Sequence, residues 1–137
     1  MVEFRRTTML KKVVYVAMLV SDQDRALAFY TNVLGLEKRY DNPTPDGPRF
    51  LTVGVRGQDF ELVLWPGTPG KPESIRGLVP AVCTIETENC RVAYEALRSR
   101  GVTFDPPEVL ERPWGYVAMF NDPDGNRLQL REGRTVS

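Results

Sequence analysis

The sharpest candidate for chemistry in this chain is Glu61, a carboxylate set inside the apolar run Phe60-Glu61-Leu62-Val63-Leu64-Trp65. An isolated charge on such a desolvated strand face is costly, so it calls for a partner or a ligand. Three uses are open to it: anchoring a cationic or hydrogen-bonding ligand, removing a proton from a substrate, or a purely structural ion pair with Arg127 or Arg131. Trp65, Trp114 and Tyr116 could stack on a planar ligand, although aromatic side chains serve as often as core or loop anchors. Cys83 and Cys90 are the only thiols. Their spacing suits neither a metal knuckle nor a disulfide framework, and they read as a core residue and a helix-start residue.

The 137 residues include no histidine. That excludes Ser-His-Asp and Cys-His nucleophiles and histidine-held zinc or iron. Carboxylate, Tyr, Lys or Cys chemistry remains, or binding without chemistry. Lys plus Arg and Asp plus Glu both number 18, so the zero net charge predicts no attraction to nucleic acid or an acidic membrane. A hydrophobic fraction of 42% is ordinary for one globular domain with its own core. No apolar run is long enough for a membrane span or a signal core, and two cysteines suit a reducing, cytoplasmic setting.

The scaffold that must hold these side chains is written twice. Val13 to Val20 is short and β-branched, which makes a largely buried strand. Ser21 and Asp22 offer N-caps, with Asp24 completing a capping box from Ser21. A helix follows with Ala26, Phe29, Tyr30 and Val33 on one face, and Gly35 ends it. Three strands come next: Leu36 to Tyr40, Arg49 to Val55 and Asp59 to Trp65. A loop with Pro43, Pro45 and Gly47 separates the first two, and a tight turn at Arg56-Gly57 separates the others.

Beyond a Pro- and Gly-rich linker the order recurs. Leu78 to Ile85 reads as a strand, and Thr87 to Arg100 as a helix with Val92, Ala93, Ala96 and Leu97 on one face. After Gly101, a short strand runs from Val102 to Phe104, with Glu108 to Leu110 as its continuation. Gly115 to Phe120 and Arg127 to Arg131 are two more, joined by the turn Asp122-Pro123-Asp124-Gly125-Asn126. The expected fold is α+β. A leader (1–12) precedes a single domain (13–131) of module one (13–66), linker (67–77) and module two (78–131), and a tail (132–137) follows. One half is too small to bury its sheet alone, so the natural solution is two sheets facing each other, with a single five- or six-stranded α+β sheet as the alternative.

Val20-Ser21-Asp22, Ala26-Leu27-Ala28-Phe29-Tyr30 and Val33-Leu34-Gly35-Leu36 together resemble the opening motif of the vicinal-oxygen-chelate superfamily. This group includes glyoxalases, extradiol dioxygenases, fosfomycin-resistance enzymes and bleomycin-binding proteins. Phe120-Asn121-Asp122-Pro123-Asp124-Gly125-Asn126 resembles its closing motif. The likeness runs from Val13 to Arg131 and implies two βαβββ modules forming a cleft-lined curved mixed sheet, in a homodimer. These motifs are structural, so they speak for fold and leave function to the site. The resemblance also implies four metal positions, which fall here on Tyr15, Glu61, Pro80 and Gln129. Pro80 has no side-chain donor, and Tyr15 could ligate only as a phenolate.

Alternation puts Val63 and Trp65 on the face of Glu61, Ala17 and Leu19 on that of Tyr15, and Arg127 and Arg131 on that of Gln129. Phe50 and Thr52 line a neighbouring strand. The expected ligand site is therefore Tyr15, Phe50, Glu61, Trp65, Trp114, Tyr116, Gln129 and Arg131: aromatic walls with a few polar heads. The leading expectation is a metal-free, cofactor-free protein of the bleomycin-resistance type, binding an aromatic or drug-like small molecule. Its partners would be that ligand and a second copy, with no nucleic acid and no membrane. The alternative is a metal-independent isomerase or lyase with Glu61 as catalytic base and Arg131, Tyr15 or Gln129 stabilising an oxyanion. A third is an interaction module with no ligand. Elemental analysis of the purified protein is expected to find no stoichiometric metal, and one tightly bound metal per chain would contradict this.

Overall fold

The computed structural model describes residues 9, 12–45, 47–68 and 81–133. The β-branched run forms β1, Tyr15–Val20. Helix α1, Gln23–Ala28, is capped by the Asp22 carboxylate, which accepts from the Arg25 backbone N–H. The capping box expected from Ser21 does not form, because Ser21 turns to Asp124 of the other module instead. A π-helical turn, Phe29–Val33, extends α1, and Gly35 follows it at φ 81.

Strands β2 (Glu37–Thr44), β3 (Gly47–Gly54) and β4 (Glu61–Pro66) complete the first sheet, in the order β1-β4-β3-β2. Its β1 and β4 are parallel and its other pairs antiparallel. The loop expected around Pro43 is instead drawn into the β2–β3 ladder. Register shifts between Lys38 and Asp41 and between Asn42 and Thr44 break that ladder. An edge strand with bulges tolerates a proline that has no N–H to offer.

The second module repeats the plan. Strand β5 (Cys83–Glu86) leads to α2 (Cys90–Ser99), then β6 (Leu110–Arg112), β7 (Gly115–Asn121) and β8 (Arg127–Gly133), with order β5-β8-β7-β6. Helix α2 starts later than expected because Asn89 is its cap. Val102 to Phe104 is reduced to one bridge, Phe104 with Phe120. Val92 is exposed and Tyr94 takes the core position, where it donates to the Pro107 carbonyl and packs on Phe104. Most of the leader, linker residues 69–77, the expected strand start at Leu78 and Pro80, and residues 134–137 lie outside the described residues. Among those described, no helix is long and apolar enough to cross a membrane, and both thiols are free.

Alternation splits each sheet into a core face and an open face. Met18, Val20, Leu51, Val53, Leu62 and Leu64 of the first sheet join Ala118, Phe120, Leu128 and Leu130 of the second in one apolar cluster. Tyr30 and Tyr94 come from the helical segments. The two modules thus share a single core. A buried polar tie runs through it. The Asp122 carboxylate accepts from the Tyr30 hydroxyl at 2.8 Å, from the Asn126 backbone N–H and Nδ2 at 2.8 and 2.9 Å, and from the Asp124 N–H at 2.9 Å. Asn126 Nδ2 also reaches the Leu19 carbonyl at 2.8 Å. Burial first, and then the Asp122 charge, push the Tyr30 phenol far above its ordinary range.

Asp122→Ala would leave a buried hydroxyl and a buried amide without their acceptor. It is expected to cost about 3–5 kcal/mol in urea unfolding, against about 1 kcal/mol for Tyr30→Phe. The raised phenol stays protonated in the folded state but ionises near pH 10 in the unfolded one. Its contribution is therefore full below about pH 10 and is lost above it, and Tyr30→Phe should flatten that alkaline decline. An Asp122→Ala cost under about 1 kcal/mol would contradict this account.

Candidate functional site

The faces turned away from the core carry most of the residues expected to do chemistry. On the first sheet, register aligns Glu37 of β2, Gly54 of β3, Glu61 of β4 and Tyr15 of β1 in one row across the four strands. Arg39 fills the middle of this row. Its guanidinium lies against Gly54, where a Cβ would stand 2.9 Å from Arg39 Cζ, so any side chain there would require the anchored guanidinium to shift. Arg39 Nε donates to Glu37 Oε1 at 2.7 Å, and Nη2 donates to the carbonyls of Val55 and Gln58 at 2.7 and 2.6 Å. Nη1 reaches Glu61 Oε2 at 3.5 Å.

Glu61 itself is 8% exposed, and its second oxygen, Oε1, is buried with no hydrogen-bond partner. The structural ion pair open to Glu61 thus falls to Arg39, not to Arg127 or Arg131. Both of those belong to the second sheet, where Arg127 donates to the Asp105 carbonyl and Arg131 pairs with Glu86. Neither Arg39 nor Tyr40 stood out in the sequence. The register shift between Lys38 and Asp41 breaks the alternation that would have assigned their faces.

Three rings cluster beside this carboxylate. Tyr15 meets Phe50 edge-on, with centroids 5.7 Å apart at 84°, and Tyr40 lies 6.3 Å from Phe50. Tyr15 and Tyr40 are 46% and 47% exposed, so both offer free ring surface. Thr52 and Val63 are buried on this face although they lie outside the core cluster, and Thr52 Oγ1 accepts from the Tyr40 N–H at 3.1 Å. Trp65 follows Glu61 and Val63 by alternation and is half-buried.

The second sheet holds the other expected residues. Gln129 Nε2 sits 3.4 Å from Thr84 Oγ1, and the Arg131 guanidinium lies 4.9 Å over the Trp114 ring. Tyr116 faces the other way. It packs against the core, with Arg91 of α2 5.3 Å from its ring centroid, so it cannot stack on a ligand on the open face. The register that pairs Val117 with Arg131 fixes this orientation. Among the described residues, no hydrogen bond, ion pair or ring contact joins the Tyr15–Phe50–Glu61 group to the Gln129–Trp114–Arg131 group.

The donor set does not fit a metal. Glu61 Oε2 already faces a guanidinium, Gln129 stands in the second group, and Pro80 lies outside the described residues. Among the described residues, no three His, Cys, Asp or Glu side chains gather where an ion could be held. A cavity of about 1010 Å³ lies between the β3–β4 turn and β5 and includes none of the eight expected residues. Its floor of Leu36, Phe60, Cys83 and Ile85 is the margin of the shared core. Chemistry favours the open face of the first sheet, where a carboxylate oxygen lacks a partner and phenol rings stand free.

A model of the Glyoxalase/Bleomycin resistance protein/Dioxygenase superfamily matches residues 12–130. The uncharacterized protein YetH of Bacillus subtilis (strain 168) is 31% identical over 125 residues, which is 90% of this chain and 100% of YetH. The crystal structure of UcmS2 superposes with a TM-score of 0.77 at 37% identity, covering 91% of this chain and 100% of its own. TnmS3, an antibiotic binding protein from Streptomyces sp. CB03234, superposes with a TM-score of 0.76 at 32% identity, covering 93% and 99%.

Gly54→Ala would drive a methyl group into the Arg39 guanidinium and toward the Phe60 carbonyl, 3.1 Å from the added Cβ. Displacing Arg39 strands the Glu61 charge, so the expected loss is about 2–4 kcal/mol in chemical denaturation. A change within about 0.5 kcal/mol would show that the guanidinium does not depend on this space.

Proposed function

The chain belongs to the Glyoxalase/Bleomycin resistance protein/Dioxygenase superfamily, and on that premise we propose that it binds a small aromatic, drug-like molecule on the open face of its first sheet. One observation carries the reading: the Tyr15, Phe50 and Tyr40 rings cluster beside Glu61, whose buried Oε1 has no partner. Apolar walls with one unfilled polar atom make a site that both holds and orients a planar ligand. The likeness to TnmS3, an antibiotic binding protein, supports a drug-like ligand. Side chains alone hold the ligand, since the donors present do not suit a metal.

The second wall comes from a second copy. Strands β1 and β5 are both sheet edges, and apolar side chains lie exposed along them: Tyr15 and Leu19 on β1, Val13 and Val14 before it, and Val82 before β5. Uncovered apolar edges invite pairing. A homodimer would cover them and bring Trp114, Arg131 and Gln129 of one protomer toward the first sheet of its partner. The two free thiols suit a cytoplasmic setting. Catalysis by Glu61 as a base has less to support it. Arg39 is the side chain in contact with that carboxylate, while Tyr15, Gln129 and Arg131 make no hydrogen bond to it.

Thermal unfolding in the presence of planar aromatic antibiotics tests this. A ligand at a hundred times its Kd should raise the midpoint by on the order of 10 °C, and Tyr15→Ala should remove most of that rise. Light scattering should return twice the chain mass. No shift across the panel, or a shift untouched by Tyr15→Ala, would overturn the reading.

A further inference from the structure

Resting on that binding reading, we propose that the site selects a planar aromatic cation with an N–H group, which donates to Glu61 Oε1. The first support is a charge count. Glu37 and Glu61 share one guanidinium, that of Arg39, which leaves one negative charge unbalanced in this row, beside the buried Glu61. Arg56 Nε comes within 3.6 Å of Glu37 Oε2, but that side chain is 91% exposed, and water screens most of its effect.

The second support is the unfilled acceptor itself. A guanidinium carries five N–H donors. On Arg39, Nε is spent on Glu37 and both Nη2 hydrogens on the Val55 and Gln58 carbonyls, which aim the group at Oε2. The fifth hydrogen, the second on Nη1, makes no bond to Oε1, which has no partner. Oε1 is therefore a fixed acceptor on a residue more than nine-tenths buried. A neutral donor would satisfy the hydrogen bond but leave the excess charge, whereas a cationic N–H answers both. The half-exposed rings of Tyr15 and Tyr40 add to the preference, because aromatic faces attract cations.

The test uses the full-length protein and two planar three-ring probes of similar shape: proflavine, a cation with N–H groups, and acridone, which is uncharged. In fluorescence titrations at neutral pH, proflavine should bind about ten- to a hundred-fold more tightly. Glu61→Gln should reduce that ratio to about three-fold or less, since the amide removes the charge and keeps an acceptor oxygen. Glu37→Gln should lower the ratio as well, and it carries the test if Glu61→Gln does not fold by circular dichroism. Equal binding of both probes to the unaltered protein would overturn the cation preference and leave the site standing. Binding of neither would overturn the site and this inference with it. A proflavine preference that survives both substitutions would also overturn it.

Discussion

Where the two modules meet, the Asp122 carboxylate accepts the Tyr30 hydroxyl from the first and three N–H groups of its own hairpin turn from the second. Asn126, held by that carboxylate, passes a bond on to the Leu19 carbonyl at the end of β1. Buried polar groups that are fully partnered specify one arrangement, because any slip leaves them unsatisfied in a dry place. Here the arrangement turns the helix-covered face of each sheet inward to one core. The opposite faces are then left open, and the residues proposed to bind ligand lie on them.

The same economy of partners shapes the site. A buried ion pair is no reliable source of stability, since the cost of desolvation consumes much of the attraction. The Arg39–Glu61 contact is better understood as an orienting device. Arg39 is anchored on Glu37 and two carbonyls and lies against Gly54, where any side chain would require it to shift. One oxygen of Glu61 is thereby held and the other left free. An acceptor fixed before the ligand arrives loses little entropy on binding.

Much of this could be read in the residues before the fold was known. The doubled strand–helix–strand order follows from hydrophobic period and turn chemistry, and the hairpin at Asp122 to Asn126 follows from its Pro, Asp and Gly. The isolation of Glu61 among apolar neighbours likewise announced a buried charge. What escaped was set by contacts distant in sequence. Ser21 looked like a cap, but Asp124 of the other module claims it. Arg39 and Tyr40 lie within a bulge, where alternation loses its phase. Tyr116 sits in a strand whose pattern does not say which face is inward, and only pairing with β8 decides that. Val92 and Tyr94 differ by two helix positions, and the larger ring won the core.

The ligand site proposed is the open face of the first sheet and not the groove beside β5. Backbone hydrogen exchange with and without saturating proflavine tests it most directly. Slowed exchange across Tyr15–Val20 and Gly47–Gly54, with Cys83–Glu86 unchanged, is the predicted result. Slowing confined to residues 55–60 and Cys83–Glu86, which line the groove, would contradict it.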